Sequence, residues 1–168
     1  LARSEELAER EPLDLSEVVT EVLADCGATA DLRDLSFDLS LEPTPVVGDT
    51  ALLDRLVANL IGNALRYSPE GGTIAVSTSV VEAAAILEVA NGGDHIPARE
   101  IARLFERFFR RDASRARADG GSGLGLAIVA AVAGAHGGEV HAQSPADGGL
   151  VVTVSLPAAL RDASGATP

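Results

Sequence analysis

Residues 120–125 contain four glycines, and the apolar run 126–129 follows at once. A loop of this kind at the start of a helix can bind phosphate, because its backbone N–H groups and the positive end of the helix dipole both attract an anion. A flexible linker is the other interpretation. This stretch alone leaves both open.

A second candidate lies in residues 59–67, where Asn59 and Asn63 stand four positions apart and Arg66 follows. On a helix these three side chains share one face. Asparagine is unfavourable inside a helix, but its amide oxygen is a neutral hard ligand suited to Mg²⁺. The pattern predicts either a magnesium site or a solvated polar face.

A predicted strand ends at Asn91, followed by Gly92, Gly93, Asp94 and His95. An amide beside glycines can hydrogen-bond the edge of a base while the backbone comes close to it. Ordinary turn chemistry predicts the same residues, so this segment also has two interpretations.

Residues 104–112 hold three of the four phenylalanines of the chain, interspersed with arginines. If exposed, these rings would dock onto a partner or close over a ligand. The alternative is an amphipathic helix with its rings in the core. We expect the longer segment 94–121 to act as a lid.

The remaining patterns predict the elements that hold these segments. A helix from near Glu17, capped by Ser16, precedes a strand over residues 35–41, and a second helix begins at Asp49 or Thr50. Further strands are predicted over residues 73–79 and 85–90, a third helix over 124–135, and a hairpin over 139–144 and 150–156. The second helix has an apolar stripe formed by Leu53, Leu56, Val57, Leu60 and Ala64.

These elements predict an α+β fold, a two-layer α/β sandwich with three main helices on one face of a mixed, mostly antiparallel sheet. Residues 13–158 would form the domain. We expect residues 1–12, ended by Pro12, to be the tail of a preceding helix or a linker, and residues 159–168 to be a C-terminal tail.

Composition excludes several classes of function. The net charge of −12 argues against a nucleic-acid partner. All 13 basic residues are arginine, which excludes the lysine of the phosphate-loop motif and a lysine nucleophile. The longest apolar run, residues 124–135, is shorter than the roughly 20 residues that span a bilayer. With Cys26 as its single cysteine, the chain is expected to be a cytoplasmic fragment of a longer protein, without membrane contact.

In this order the four segments resemble the catalytic, ATP-binding domain of bacterial sensor histidine kinases, whose superfamily (the Bergerat-type ATPase fold) includes gyrase, mismatch-repair and heat-shock-chaperone ATPases. Residues 59–63 match the asparagine box, 91–93 the first glycine box, 104–110 the phenylalanine box and 121–126 the second glycine box. The resemblance covers residues 14–157. The resemblance rests on the order of the motifs and on the helices and strands between them.

The resemblance implies that ATP and Mg²⁺ are the ligands. Asn63 would ligate Mg²⁺ with help from Asn59, and Arg66 and Tyr67 would face the phosphates and the sugar. Arg110 would approach the γ-phosphoryl group and share catalysis with Asn63, mainly by positioning and charge neutralisation. The other nucleotide-binding residues implied by the matched boxes are Asn91, Gly93, Ile96, Gly121, Ser122, Gly123, Leu124, Gly125 and Leu126.

The family phosphorylates a histidine that precedes an acidic residue, and none of His95, His136 and His141 does. The resemblance therefore implies an acceptor in a separate dimerisation and phosphoacceptor region of the same parent kinase, a membrane-anchored sensor that signals to a response regulator. We expect a histidine protein kinase domain that does not phosphorylate itself.

Two positions depart from the family's Asp-x-Gly-x-Gly pattern, with Asn91 in place of the acid and His95 in place of the second glycine. They predict weaker base recognition, and they keep open a non-catalytic nucleotide-binding or interaction domain of the same fold. A self-hydrolysing ATPase of the chaperone or gyrase type, or a serine kinase, would need an acid where Asn59 stands, since an amide cannot accept a proton.

Overall fold

The computed structural model describes residues 9–107, 109 and 125–160. Within these ranges the helices are α1 Leu15–Leu32, α2 Thr50–Tyr67, the short α3 Ala98–Ile101 and α4 Gly125–Ala135. The strands are β1 Glu11–Asp14, β2 Ser36–Leu41, β3 Pro45–Gly48, β4 Thr73–Val81, β5 Ala84–Asn91, β6 Glu139–Gln143 and β7 Leu150–Pro157. Every helix and strand that the sequence predicts is present close to its expected position.

The main sheet has five strands in the order β2-β4-β5-β7-β6. β2 pairs parallel with β4, and the other pairs are antiparallel. The parallel pair is joined through β3 and α2, because parallel neighbours need a long crossover connection. The predicted mixed, mostly antiparallel sheet is confirmed.

The helical layer is centred on α2, which packs against α1, α4 and β5. Asp49, one of the two predicted caps, accepts a hydrogen bond from Leu52 N at 3.1 Å and begins the helix. The whole predicted apolar stripe of α2 is buried against alternate residues of the sheet, among them Ile74, Val76, Leu87 and Val152. The two-layer α/β sandwich is confirmed. None of the helices in the described ranges has the length and apolar character that a membrane span requires.

The N-cap prediction for α1 is wrong. Asp14, rather than Ser16, caps the helix: its Oδ1 accepts from Ser16 N at 2.9 Å, from Ser16 Oγ at 2.7 Å and from Thr44 N at 2.9 Å. Burial, the largest single influence, raises the pKa of Asp14, but these hydrogen bonds together bring it below its ordinary value. The helix therefore begins at Leu15, before the predicted start at Glu17.

The interpretation of Pro12 is also corrected. Pro12 does not end a helical tail but lies in β1, opposite Val47 of β3 in a separate two-stranded sheet. Proline is tolerated there because both strands of such a pair are edge strands. The expected tail over residues 1–12 thus overlaps β1 at Glu11 and Pro12.

Candidate nucleotide-binding site

The polar face predicted on α2 is present and partly covered. Asn59 and Asn63 are half-buried, whereas Arg66 is exposed. Asn59 Nδ2 donates to Arg55 O, one helical turn earlier, at 2.7 Å. Its Oδ1 lies 3.3 Å from the place that a Cβ atom on Gly125 would occupy. The start of α4 therefore comes close to α2 at Asn59, and a larger residue at position 125 would crowd the amide.

Asn63 is the candidate magnesium ligand. Among the described residues none hydrogen-bonds its amide, and the half-buried side chain remains accessible to water. In the same ranges, histidine, cysteine and carboxylate side chains form no group of three that could hold a metal. Because Mg²⁺ keeps several waters and is shared with substrate phosphates, a single amide oxygen on an accessible helix face fits its mode of binding.

β5 ends at Asn91, whose backbone lies between Ile74 of β4 and Leu150 of β7. Asn91 Nδ2 donates to Gly92 O at 2.8 Å, which leaves Oδ1 available as an acceptor. Gly93 has a φ of 135°, a conformation that favours glycine. A Cβ atom on Gly93 would lie 3.5 Å from the carbonyl oxygen of Tyr67. The first glycine box therefore sits against the end of α2.

His95, which replaces a family glycine, is bound to the β6–β7 turn. Its Nδ1 lies 3.0 Å from Pro145 O and 3.3 Å from Ser144 Oγ. Among the described residues the non-glycines with positive φ are Asp34 and Glu82, so the backbone at position 95 does not require glycine. The histidine is accommodated without backbone strain.

Ile96, a predicted nucleotide-binding residue, is 6% exposed and belongs to the core. Its backbone N–H donates to Ser144 Oγ at 2.9 Å. The structure thus fixes the backbone after the glycine box to the β6–β7 turn and turns the Ile96 side chain inward.

Of the second glycine box, the structure describes the last two residues, Gly125 and Leu126. Gly125 begins α4 beside Asn59, and Leu126 is 7% exposed and packs in the core. The predicted residues Gly121, Ser122, Gly123 and Leu124 lie outside the described residues. α4 therefore holds the C-terminal end of this box next to the polar face of α2.

The two phenylalanines of the phenylalanine box that the structure describes, Phe105 and Phe109, are both half-buried. Phe105 packs against the core, whereas the guanidinium carbon of Arg103 lies 4.5 Å from the ring centroid of Phe109. Phe108 and the predicted catalytic residue Arg110 lie outside the described residues, as does most of the second half of the predicted lid.

The other two histidines also take part in structural contacts. Buried His136 follows α4; its Nδ1 lies 2.7 Å from Val132 O, and its Nε2 accepts from Asp49 N–H at 3.1 Å. His141 lies on the edge strand β6, with Nε2 3.4 Å from Glu139 Oε2. His136 thereby ties the end of α4 to the start of α2.

Sequence reasoning missed two residues that hold the site together. Arg33 donates to backbone carbonyls at the end of α2, across 32 or more positions. Ser144 accepts from the backbone of Ile96 and donates to Gly149 O at 2.6 Å. No local pattern indicates the contacts of Arg33 or the bond between Ile96 and Ser144, because these partners are distant along the chain.

Three comparisons relate this chain to known proteins. The family model described as histidine kinase-, DNA gyrase B-, and HSP90-like ATPase matches residues 48–160. The sensor protein CutS of Streptomyces coelicolor is 42% identical over 159 residues, which are 94% of this chain and 38% of CutS. This chain thus spans less than two-fifths of that relative.

Two solved structures share the fold. The mycobacterial sensor histidine kinase MprB is 35% identical with a TM-score of 0.77, over 89% of this chain and 98% of the MprB chain. Full-length ShkA, solved in complex with AMPPNP, has a TM-score of 0.80 at 24% identity, over 96% of this chain and 34% of ShkA.

Proposed function

The chain belongs to the family of histidine kinase-, DNA gyrase B- and HSP90-like ATPases, and we propose that it is the ATP-binding catalytic domain of a sensor histidine kinase. It binds Mg-ATP and donates the γ-phosphoryl group to a histidine in another region of the parent protein. The observation that carries this proposal is that three of the motifs lie close together at α2. Asn59 of the asparagine box lies next to Gly125 of the second glycine box, and the carbonyl oxygen of Tyr67 lies next to Gly93 of the first glycine box.

The site residues divide between the base and the phosphates. Asn91 Oδ1 accepts a hydrogen bond from the adenine amino group, since its Nδ2 is already bound to Gly92 O. Gly93 lets the backbone come close to the base, while exposed Arg66 and Tyr67 contact the phosphates and the sugar. Residues 121–126 would bind the triphosphate through backbone N–H groups, and Arg110 would contact the γ-phosphoryl group through its positive charge. Backbone N–H groups and a guanidinium charge both attract an anion such as a triphosphate.

Asn63 would hold Mg²⁺ through its amide oxygen, together with phosphate oxygens and water. When bound, the ion neutralises charge on the phosphates and orients them. Asn59 assists by keeping α4 close, because its amide lies between Arg55 O and Gly125. The contribution of this chain is therefore positioning and electrostatics.

In the transfer, a nitrogen of the acceptor imidazole bonds to the γ-phosphorus while the bond to the β–γ bridging oxygen breaks, and ADP leaves. The imidazole nitrogen has its own lone pair, so this chain need not supply a strong base. Attack by water would need one, and Asn59 cannot accept a proton. ATP hydrolysis by the isolated chain should therefore be negligible compared with transfer to the acceptor.

The partners follow from the same proposal. The acceptor histidine lies in the dimerisation and phosphoacceptor helices of the parent kinase, which passes the phosphoryl group to a response regulator. The parent is a membrane-anchored sensor with this domain in the cytoplasm. The net charge of −12 supports the absence of a nucleic-acid partner.

The second candidate is a non-catalytic interaction domain of the same fold. Asn91 and His95 favour it, because they replace an acid and a glycine of the family pattern. His95, however, needs no unusual φ and is hydrogen-bonded to the β6–β7 turn, so its presence does not distort the glycine box.

Titration of the chain with ATP, with and without Mg²⁺, separates the two functions. The kinase proposal predicts saturable binding that strengthens with Mg²⁺ and negligible release of phosphate. Absence of nucleotide binding at millimolar ATP would contradict it and favour the interaction domain.

A further inference from the structure

Arg33 is the first residue after α1, and its guanidinium group reaches the C-terminal end of α2. Nη1 donates to the carbonyl oxygen of Leu65 and, at 3.3 Å, to that of Arg66. Nη2 donates to Ser68 O at 2.6 Å. The main chain of Arg33 contributes as well, since its carbonyl oxygen accepts from Gly71 N at 3.2 Å. One residue therefore contacts both the last turn of α2 and the turn that follows it.

These contacts satisfy groups that the helix itself leaves open. The last four carbonyls of an α-helix have no intrahelical donor, and a cation near them interacts favourably with the helix dipole. Ser68 supplies donors to Ala64 O, through its N–H at 3.0 Å and its Oγ at 2.6 Å. Arg33 supplies them to Leu65 and Arg66. Without its guanidinium group, both of these carbonyls would lose their donor among the described residues.

The same turn carries part of the site. Arg66 and Tyr67 are its exposed side chains, and the Tyr67 carbonyl oxygen lies 3.5 Å from the Cβ position of Gly93. A shift in this turn would therefore displace two ligand-facing side chains and the support of the first glycine box together.

We propose that Arg33 is a positioning residue of the nucleotide site: its hydrogen bonds to the α2 carbonyls fix the turn that presents Arg66 and Tyr67 and supports Gly93. The inference rests on the proposed function. Arginine is required because its planar fork donates to several carbonyls at once, whereas a lysine ammonium keeps the charge but not the fork.

The alternative is that Arg33 only stabilises the fold, and a matched control separates the two roles. Asp14 also binds backbone groups at a helix end and at a neighbouring segment, but at the opposite end of α1. Asp14→Ala should lower the free energy of unfolding without changing the affinity for Mg-ATP. Arg33→Ala should lower both.

The experiment measures urea unfolding and the Kd for Mg-ATP of the whole chain as wild type, Arg33→Ala, Arg33→Lys and Asp14→Ala. We expect Arg33→Ala to weaken binding about three- to tenfold, the equivalent of one ordinary net hydrogen bond, with Arg33→Lys in between. Tyr67 is the only tyrosine, and the chain has no tryptophan. Its fluorescence should become more accessible to quencher in Arg33→Ala and stay unchanged in Asp14→Ala.

Equal Mg-ATP affinity of Arg33→Ala and wild type would overturn the positioning role and leave the proposed function intact. An equal loss of affinity in Asp14→Ala would also overturn it. If Arg33→Ala does not fold, Arg33→Lys decides on the same criterion. Failure of the wild type itself to bind ATP would contradict the proposed function and, with it, this inference.

Discussion

Gly93 and Gly92 are neighbours in the first glycine box. The structure predicts that substitution by alanine lowers the free energy of unfolding at Gly93 but not at Gly92. Gly93 has a φ of 135°, which a residue with a side chain rarely adopts. The methyl group itself has room, because a Cβ atom would lie 3.5 Å from Tyr67 O, an ordinary contact. At Gly92 a Cβ atom would meet nothing within 4 Å, and φ is not positive. The backbone, rather than space, therefore distinguishes the two positions.

The expected difference in the free energy of unfolding follows from the difference in φ between the two glycines. A residue held in a disfavoured φ region costs about 1–3 kcal/mol. Alanine at a compatible glycine position stabilises by up to about 1 kcal/mol, because it restricts the unfolded chain. The free energy of unfolding of Gly93→Ala should thus fall about 1–4 kcal/mol below that of Gly92→Ala.

Urea unfolding of both variants measures this gap, and an ATP titration follows the consequence for the site. If the strained turn relaxes by moving away from Tyr67, Gly93→Ala should also bind Mg-ATP more weakly than Gly92→Ala does. Equal stability and equal affinity of the two variants would refute the reasoning from φ.

Three further substitutions test other parts of the structure. The pKa of Asp14 is below its ordinary value, so its carboxylate stabilises the fold above about pH 4 and loses that effect as the pH falls through its folded-state pKa. The stability difference between wild type and Asp14→Asn, measured by urea unfolding from pH 7 to pH 2.5, should therefore shrink on acidification; a constant difference would contradict this. Asn91→Asp should bind ATP about fivefold more tightly and discriminate better against GTP, because the hydrogen bond to the adenine amino group becomes charge-assisted. Weaker ATP binding would instead show that the bond from Asn91 Nδ2 to Gly92 O matters more. Asn59→Glu should raise ATP hydrolysis in a phosphate-release assay, since it supplies a base for water. A rate unchanged from wild type would show that this position does not face the attacking water.

Local patterns sufficed for most of the fold. The period of apolar residues in α2 and the alternation in β4, β5 and β7 are strong signals, and all of these elements were predicted close to their observed bounds. β1 and β3 were not predicted, because each has four residues and is defined by its distant partner. The cap of α1 was misassigned because Asp14 and Ser16 are both common capping residues, and the additional bond from Thr44 N to Asp14, 30 positions away, has no local sequence signal.

The candidate site, like the fold, has features with a local sequence signal and contacts between distant residues that have none. The family was predictable from the order of the motifs, and it is confirmed. The contacts that assemble the motifs, such as Asn59 with Gly125 and Gly93 with Tyr67, depend on how α4 and β5 are packed on α2. Arg33 could not be found from sequence because its acceptors are backbone carbonyls, which have no residue-type signature.

Phosphoryl transfer from γ-labelled ATP tests the central claim most directly. The chain is incubated with Mg-ATP, alone and with a fragment of the parent protein that carries the acceptor helix, as wild type and as Asn63→Ala. We predict label on the acceptor fragment with the wild type, none on the chain alone, and strongly reduced transfer with Asn63→Ala, whose half-buried amide has no hydrogen-bond partner among the described residues and so should affect stability by no more than about 0.5 kcal/mol. Stable label on His95, His136 or His141 of the chain alone, or transfer by Asn63→Ala at the wild-type rate, would contradict the account.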